Sequence, residues 1–235
     1  EMQRSLVGSE MCIRDRGNVG FYIVIMILFI VIIFIAVYEL SFQRTVHLKT
    51  KVDNGAILSA LSANVVDLYQ YASTGDVAYA SSTQTGSNLY IDASGHPFTG
   101  YSNINEANKS AGRMALMRFL DSLNDNLGFI DFTHTLTLND QANLPISPTD
   151  EFVKSAKIDQ FILYNKVGGK IYKSAKDAGG NFNVTELTGN SDPSVSKADN
   201  IQNSCIYVKM TFSFYVMAGQ TVDITFDELV SISAN

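Results

Sequence analysis

The feature that most limits the fold is an uninterrupted apolar segment near the start of the chain. Eighteen apolar or aromatic residues, Phe21 to Tyr38, follow one another without a charge and end at Glu39. With Val19 and Gly20 the segment reaches twenty residues, close to the ~20 that a helix needs to cross a bilayer. A secretory signal has a shorter apolar region, about 7–15 residues, and ends in small residues at its cleavage site. Here bulky Leu40 and Phe42 follow, and then Arg44. The expectation is a retained transmembrane helix over about 19–38. Its composition is rich in Ile, Val and Phe, with Ala36 its one alanine, so a glycine-based dimer face is not evident.

The helical pattern continues beyond the bilayer. No proline interrupts Val46 to Tyr71, and Leu58, Leu61, Val65 and Leu68 recur at three- and four-residue steps, the spacing of one helix face. Ala56, Ala60 and Ala63 lie among them, and small side chains let another element approach closely. A single helix from about Val19 to Tyr71 would be roughly 80 Å long at ~1.5 Å per residue. A simple tether needs no such shaft, whereas a packing helix does. These four apolar residues are the expected helix-packing positions. Glu39 joins them as a carboxylate at the end of the apolar run, placed either to end the hydrophobic segment or to meet a basic group of a neighbouring subunit.

The first residues, "EMQRSLVGSEMCIRDR", have no periodicity, and "SLVGSEMCIRDR" resembles translated sequencing-adapter sequence. Residues 1–16 are therefore set aside from fold reasoning, the alternative being a disordered stub. Cys12 goes with them, which leaves Cys205 without an internal partner and excludes a disulfide framework. Its neighbours Ile206, Tyr207 and Val208 mark a strand, where a thiol is usually a small buried hydrophobe.

Arg44, Lys49 and Lys51 flank the membrane segment. Alone they would place the C-terminus in the cytoplasm by the positive-inside rule. The domain beyond argues the other way, being rich in Ser, Thr, Asn, Gly and Tyr. From Asp53 onward it carries 11 basic and 19 acidic residues. The expectation is an extracytoplasmic C-terminal domain. A formal charge of −6 with no basic cluster away from the membrane excludes nucleic acid as a general partner.

The expected order after the shaft (17–71) is a polar connection at 72–104, an amphipathic helix at 105–128 and a sheet domain at 129–235. Asn103 and Glu106 have capping-box spacing, and Gly128 stands where a helix would stop. From Phe132 the period becomes two, first in "FTHTLTL". "FILYNKVGGKIYK" reads as a hairpin turning on Gly168-Gly169, and "NFNVTEL" as a shorter strand. In "CIYVKMTFSFYV", Ile206, Val208, Met210, Phe212, Phe214 and Val216 alternate with polar residues and tyrosines. The strand "TVDITF" follows after "MAGQ", so the two should pair antiparallel. The fold class expected is α+β, with an antiparallel sheet having one dry face covered by the preceding helix.

No catalytic pattern accompanies these elements. His47, His96 and His134 lack ligand spacing. "DSLNDNLG" departs from a calcium loop, with Leu123 at its third position. GxSxG, P-loop and GxGxxG patterns are absent. Asn108-Lys109-Ser110 and Asn183-Val184-Thr185 match a glycosylation sequon too short to carry weight. The chain reads as a non-enzyme without a cofactor.

A family likeness rests on specific stretches. The membrane helix opens with "RGNVGF" and closes with "VYELSFQRTVHLKTKVDNGAILSAL". It resembles the TadE/TadG-like pseudopilins of Tad (Flp) pilus systems and their clostridial relatives, over residues 17–71. In that family the apolar helix ends near an "iEl"-type stretch followed by an Ala-rich helix, matched here by Tyr38-Glu39-Leu40 and Ala56 to Ala63. The resemblance implies a pilin-like fold and a single-pass protein of the bacterial cell membrane. Its partners would be the lipid bilayer and other pilin-like subunits or pilus platform proteins, in a homo- or hetero-oligomer. Processing does not carry over. Cleavage after Gly17 would put Tyr22 at the fifth position, where such precursors have glutamate. The competing expectation is a membrane-anchored extracytoplasmic binding or sensory domain; an anchored hydrolase ranks third.

Overall fold

The computed structural model describes residues 2–65, 104–130, 144–146, 152–177, 181–216 and 219–231, with side chains from Val19 onward. Helix α1 spans Met2–Ala63 and helix α2 Ile104–Leu127. Strands β1 (Val153–Val167), β2 (Lys170–Lys176), β3 (Phe182–Glu186), β4 (Cys205–Tyr215) and β5 (Thr221–Ser231) follow. They form one antiparallel sheet in the order β3-β2-β1-β4-β5. The architecture is thus α+β: a long apolar N-terminal helix, a second helix, then a five-stranded sheet.

Two compact units make up the chain, Glu1–Leu48 and Lys49–Asn235. Unit one is helical from Met2, through the adapter-like stretch set aside from fold reasoning. Its residues Val19 to Val46 expose their large apolar side chains along the whole run. Among the described residues one helix is long and apolar enough to cross a membrane. Such exposure is ruinous in water and ordinary in hydrocarbon, where the bilayer is the solvent. At the polar end of the run, Ser41 donates to the Val37 carbonyl at 2.9 Å and Thr45 to the Ser41 carbonyl at 3.0 Å. Both hydroxyls are satisfied inside their own helix.

The α1 helix stops at Ala63, short of the expected Tyr71; Asn64 and Val65 lie outside it. The last turn tightens, with the Asn64 amide bonded to the Leu61 carbonyl at 3.1 Å and the Val65 amide to the Ala63 carbonyl at 3.0 Å. Expectations for 72–103, for the strand at Phe132–Leu138, and for Leu68, His96 and His134 lie outside the described residues.

The α2 helix ends where the glycine predicts. Gly128 has φ +71° and its amide donates to the Asn124 carbonyl at 2.9 Å, an αL cap. Its inner face presents Ala111, Ala115, Phe119, Leu120 and Leu123, all buried, to the sheet. Phe119 meets Phe161 of β1 at 5.6 Å between ring centroids, and Phe161 meets Phe182 of β3 edge-on at 6.5 Å. Gly112 permits this approach. A Cβ there would stand 2.6 Å from both Phe182 Cδ1 and Ser174 Oγ.

Between helix and sheet lies a buried polar knot. Asn165 donates to the Asn108 side-chain oxygen at 2.8 Å, and the Ser174 hydroxyl to the Asn108 carbonyl at 3.1 Å. Asn108 is fully buried in it, which removes the first sequon as a modification site.

The β1–β2 hairpin turns on Gly168 and Gly169, with φ of +60° and +76°, and pairs Val167 with Lys170. Both positive angles match a two-residue primed turn. The β4–β5 pair extends from Tyr215–Thr221 to Cys205–Ser231, longer than "TVDITF" suggests. Along β4, Met210, Phe212 and Phe214 are buried, alternating with partly covered Lys209, Thr211 and Ser213.

One expectation is overturned: the sheet is not dry on one face only. Ile162, Tyr164, Ile171, Cys205 and Tyr207 are buried on the face away from α2, beneath Val195, Ala198 and Ile201 of the β3–β4 connection. That is why Phe161 through Asn165 form an unbroken buried run in β1.

Candidate functional site

The segment of α1 in unit two, Lys49–Ala63, has two faces of opposite character. The inner face carries small residues at helical spacing: Gly55, Ala56, Ser59, Ala60 and Ala63, with Val52 before them, all buried. Leu127 of α2 fills the space over Gly55, where a Cβ would stand 2.5 Å from Leu127 Cδ2. Ser59 donates to the Gly55 carbonyl at 2.6 Å and accepts from Asn126 Nδ2 of α2 at 3.2 Å. Small side chains let the C-terminal turn of α2 approach α1 here, and one polar tie joins them.

The outer face carries the large residues. Ile57 is 37% exposed, Leu58 54% and Leu61 44%. Of the sequence-predicted packing positions, Leu58 and Leu61 therefore point away from the domain, and Val65 is half-buried just past the helix end. Leu68 lies outside the described residues. The alanines, expected only to permit approach, are themselves the inner contact. Ile57 belongs with the outer pair, one turn before Leu61, and the i, i+4 spacing that joins Leu61 to Val65 includes it. Gly55 and Ser59 were missed because they are too small to register in a hydrophobic pattern. A readable signal did exist in Gly55-Ala56, Ser59-Ala60 and Ala63, small residues repeating every four.

The charged positions fall into separate settings. Glu39 is exposed on α1 in unit one, and Arg44 is half-buried there. Lys49 and Lys51 belong to unit two. The Lys51 ammonium sits 5.5 Å from the Phe129 ring centroid, a cation–π contact. Phe129 packs edge-on against Phe212 and Phe214, each at 5.9 Å. Lys51, expected as a membrane flank, is thus also tied to the domain's aromatic core.

A second organised cluster was not foreseen. Asp192, on the β3–β4 connection, accepts from Tyr164 Oη at 2.7 Å and lies 2.6 Å from Lys173 Nζ. Its other oxygen accepts the Ser194 amide at 3.0 Å and hydroxyl at 2.6 Å. Burial pushes this carboxyl upward, but the hydrogen bonds from Lys173, Ser194 and Tyr164 outweigh it and hold the group at about 2. Burial, reinforced by Asp192, pushes the Tyr164 hydroxyl up. Burial likewise raises the Cys205 thiol to about 12, the state of a structural rather than a nucleophilic cysteine.

A shallow groove of about 480 Å³ lies between the β1–β2 turn and the chain after β3, lined by Gly169, Lys170, Glu186 and Thr188 among others. Its charges face each other, Lys170 Nζ standing 2.9 Å from Glu186 Oε1. Among the described residues no group of three His, Cys, Asp or Glu side chains is placed to hold a metal ion. No family model matches the chain, and neither a curated protein nor a solved structure is detectably similar to it.

Proposed function

We propose that this chain is a non-catalytic pseudopilin of the TadE/TadG-like kind, anchored in the bacterial cell membrane, which helps to prime or assemble an envelope-spanning pilus or secretion machine. The apolar run of α1 holds it in the bilayer, and the sheet domain works outside the cytoplasm. Copies of this chain or other pilin-like subunits pack along α1.

One observation carries the reading. The outer face of α1 in unit two presents Ile57, Leu58 and Leu61, while its inner face is buried and meets Leu127 and Asn126 of α2 at Gly55 and Ser59. Truncating such side chains costs little in a monomer, so three large aliphatics on one exposed helix face mark a contact surface. Helix-in-groove and helix–helix recognition use this spacing of anchors.

The second reading, an anchored binding or sensory domain, draws on the groove beside Lys170 and Glu186. Cysteine crosslinking in cells carrying the native gene separates the two. With single cysteines at Leu58, Leu61, Val65 or Leu68, assembly gives adducts with this chain or with another chain bearing an N-terminal apolar helix. Monomers at all four positions would remove the pseudopilin reading and leave the binding domain.

A further inference from the structure

The connection between β3 and β4 is built as a closed unit. Among the described residues its backbone hydrogen bonds run within itself. The Ile201 amide donates to the Asn190 carbonyl at 2.6 Å and the Asp192 amide to the Ala198 carbonyl at 2.9 Å. The Val195 amide bonds the Asp192 carbonyl at 3.1 Å, and the Ala198 amide bonds the Val195 carbonyl at 3.0 Å. Its ends meet at Asn190 and Ile201, the mark of an Ω-loop. Gly189, with φ +94°, sits immediately before it, a position at which the chain can swing.

What ties this loop to the sheet is side-chain chemistry. Val195, Ala198 and Ile201 insert into the apolar patch formed by Ile162, Ile171, Cys205 and Tyr207. Polar attachment is concentrated on one residue. Asp192 binds Tyr164 of β1 and Lys173 of β2, and Lys173 also donates to Ser194 at 2.6 Å. A second, exposed tie runs from Lys197 to β5, where its ammonium donates to the Asp227 carbonyl and lies 2.9 Å from Glu228 Oε1. The loop can therefore lift without breaking a ladder bond of the sheet, and the cost of lifting is set by the buried Asp192 ties and the apolar contacts, with a smaller share from exposed Lys197.

We propose that Asn190–Ile201 is a strap that opens as a unit, with Asp192 as its latch, and that its opening uncovers a second apolar face of the sheet. Sub-global opening of this kind occurs in contiguous loops with self-contained hydrogen bonding. The strap gives the sheet domain a surface that can be shown or hidden while the α2 side of the core stays closed.

Cys205 reports the motion, because it is buried under the strap. The test uses the full chain in detergent with Cys12→Ser, so that Cys205 is the one remaining thiol. Its maleimide labelling rate is followed against urea. Strap opening predicts a phase at low urea that hardly depends on denaturant, because little surface is exposed. Asp192→Asn should raise that phase roughly tenfold, since charge-assisted bonds are lost from the closed form alone. Should that variant fail to fold, the flat phase of the wild type decides by itself. Labelling that rises steeply with urea from the start, in step with global unfolding, would overturn the proposal.

Discussion

Within the same short stretch of α1, the inner and outer faces invert the usual rule of size. The residues against the protein are Gly55, Ala56, Ser59, Ala60 and Ala63, while Ile57, Leu58 and Leu61 face outward. Had burial been needed only for stability, the large aliphatics would be inside, where each is worth about 1.5–3 kcal/mol. The arrangement spends the small residues on closeness to α2 and leaves the large ones for something else. The lesson is that α1 packs inward through its small residues, so that its exposed aliphatics contribute little to the fold.

The sharpest way to break the comparison is to enlarge the inner face. Ala60→Leu forces new atoms into a fully buried position and should cost about 3 kcal/mol, measured by urea unfolding of the full chain in detergent. An unchanged midpoint would show that this face is not packed.

A smaller loss, remote from α1, comes from acid. Asp192 is held at about 2 in the folded chain, below its ordinary value of about 3.9. Its contribution is complete above pH ~4 and is lost as pH falls toward ~2, a loss of about 2 kcal/mol. Unfolding free energies of wild type and Asp192→Asn should therefore converge over that interval. Parallel curves would remove the latch.

Gly112→Ala sets two effects against each other. Alanine gains about 1 kcal/mol of helix propensity, but its Cβ would meet Phe182 and Ser174 at 2.6 Å, and overpacking costs about 1–3 kcal/mol. The net expectation is a destabilisation of about 1 kcal/mol, visible as a lowered thermal midpoint; a rise would show that α2 has room above the sheet. Smallest of all, Leu58→Ala or Leu61→Ala should change stability by no more than about 0.5 kcal/mol while weakening assembly. A large stability loss would mean that these side chains serve the fold.

Legibility in the sequence followed the kind of signal. The apolar run, the αL stop at Gly128, the Gly168-Gly169 hairpin and the alternation of β4 from Val208 to Tyr215 rest on local chemistry and appear as expected, whereas Cys205 to Val208 are buried on both faces. The sheet's second covered face did not, because the strap that covers it has no period. Only the unbroken "FILYN" of β1 hinted that both faces are buried. The stop of α1 at Ala63 was hidden by the apolar spacing, which runs on through Val65 and Leu68 in sequence. At the candidate site, Leu58 and Leu61 could be found by spacing, but which face pointed inward could not. That choice depends on Leu127 needing the gap at Gly55, a contact between residues far apart in sequence.

A matched pair of single cysteines in native membranes, with Cys12 and Cys205 replaced, tests the outer face of α1 most directly. Leu61→Cys lies on the outer face and Ala60→Cys on the inner face of the same helical turn. The prediction is an intermolecular adduct at Leu61→Cys and none at Ala60→Cys. Monomers at both positions, or equal yields at both, would contradict the claim that the outer face of α1 is where this protein assembles.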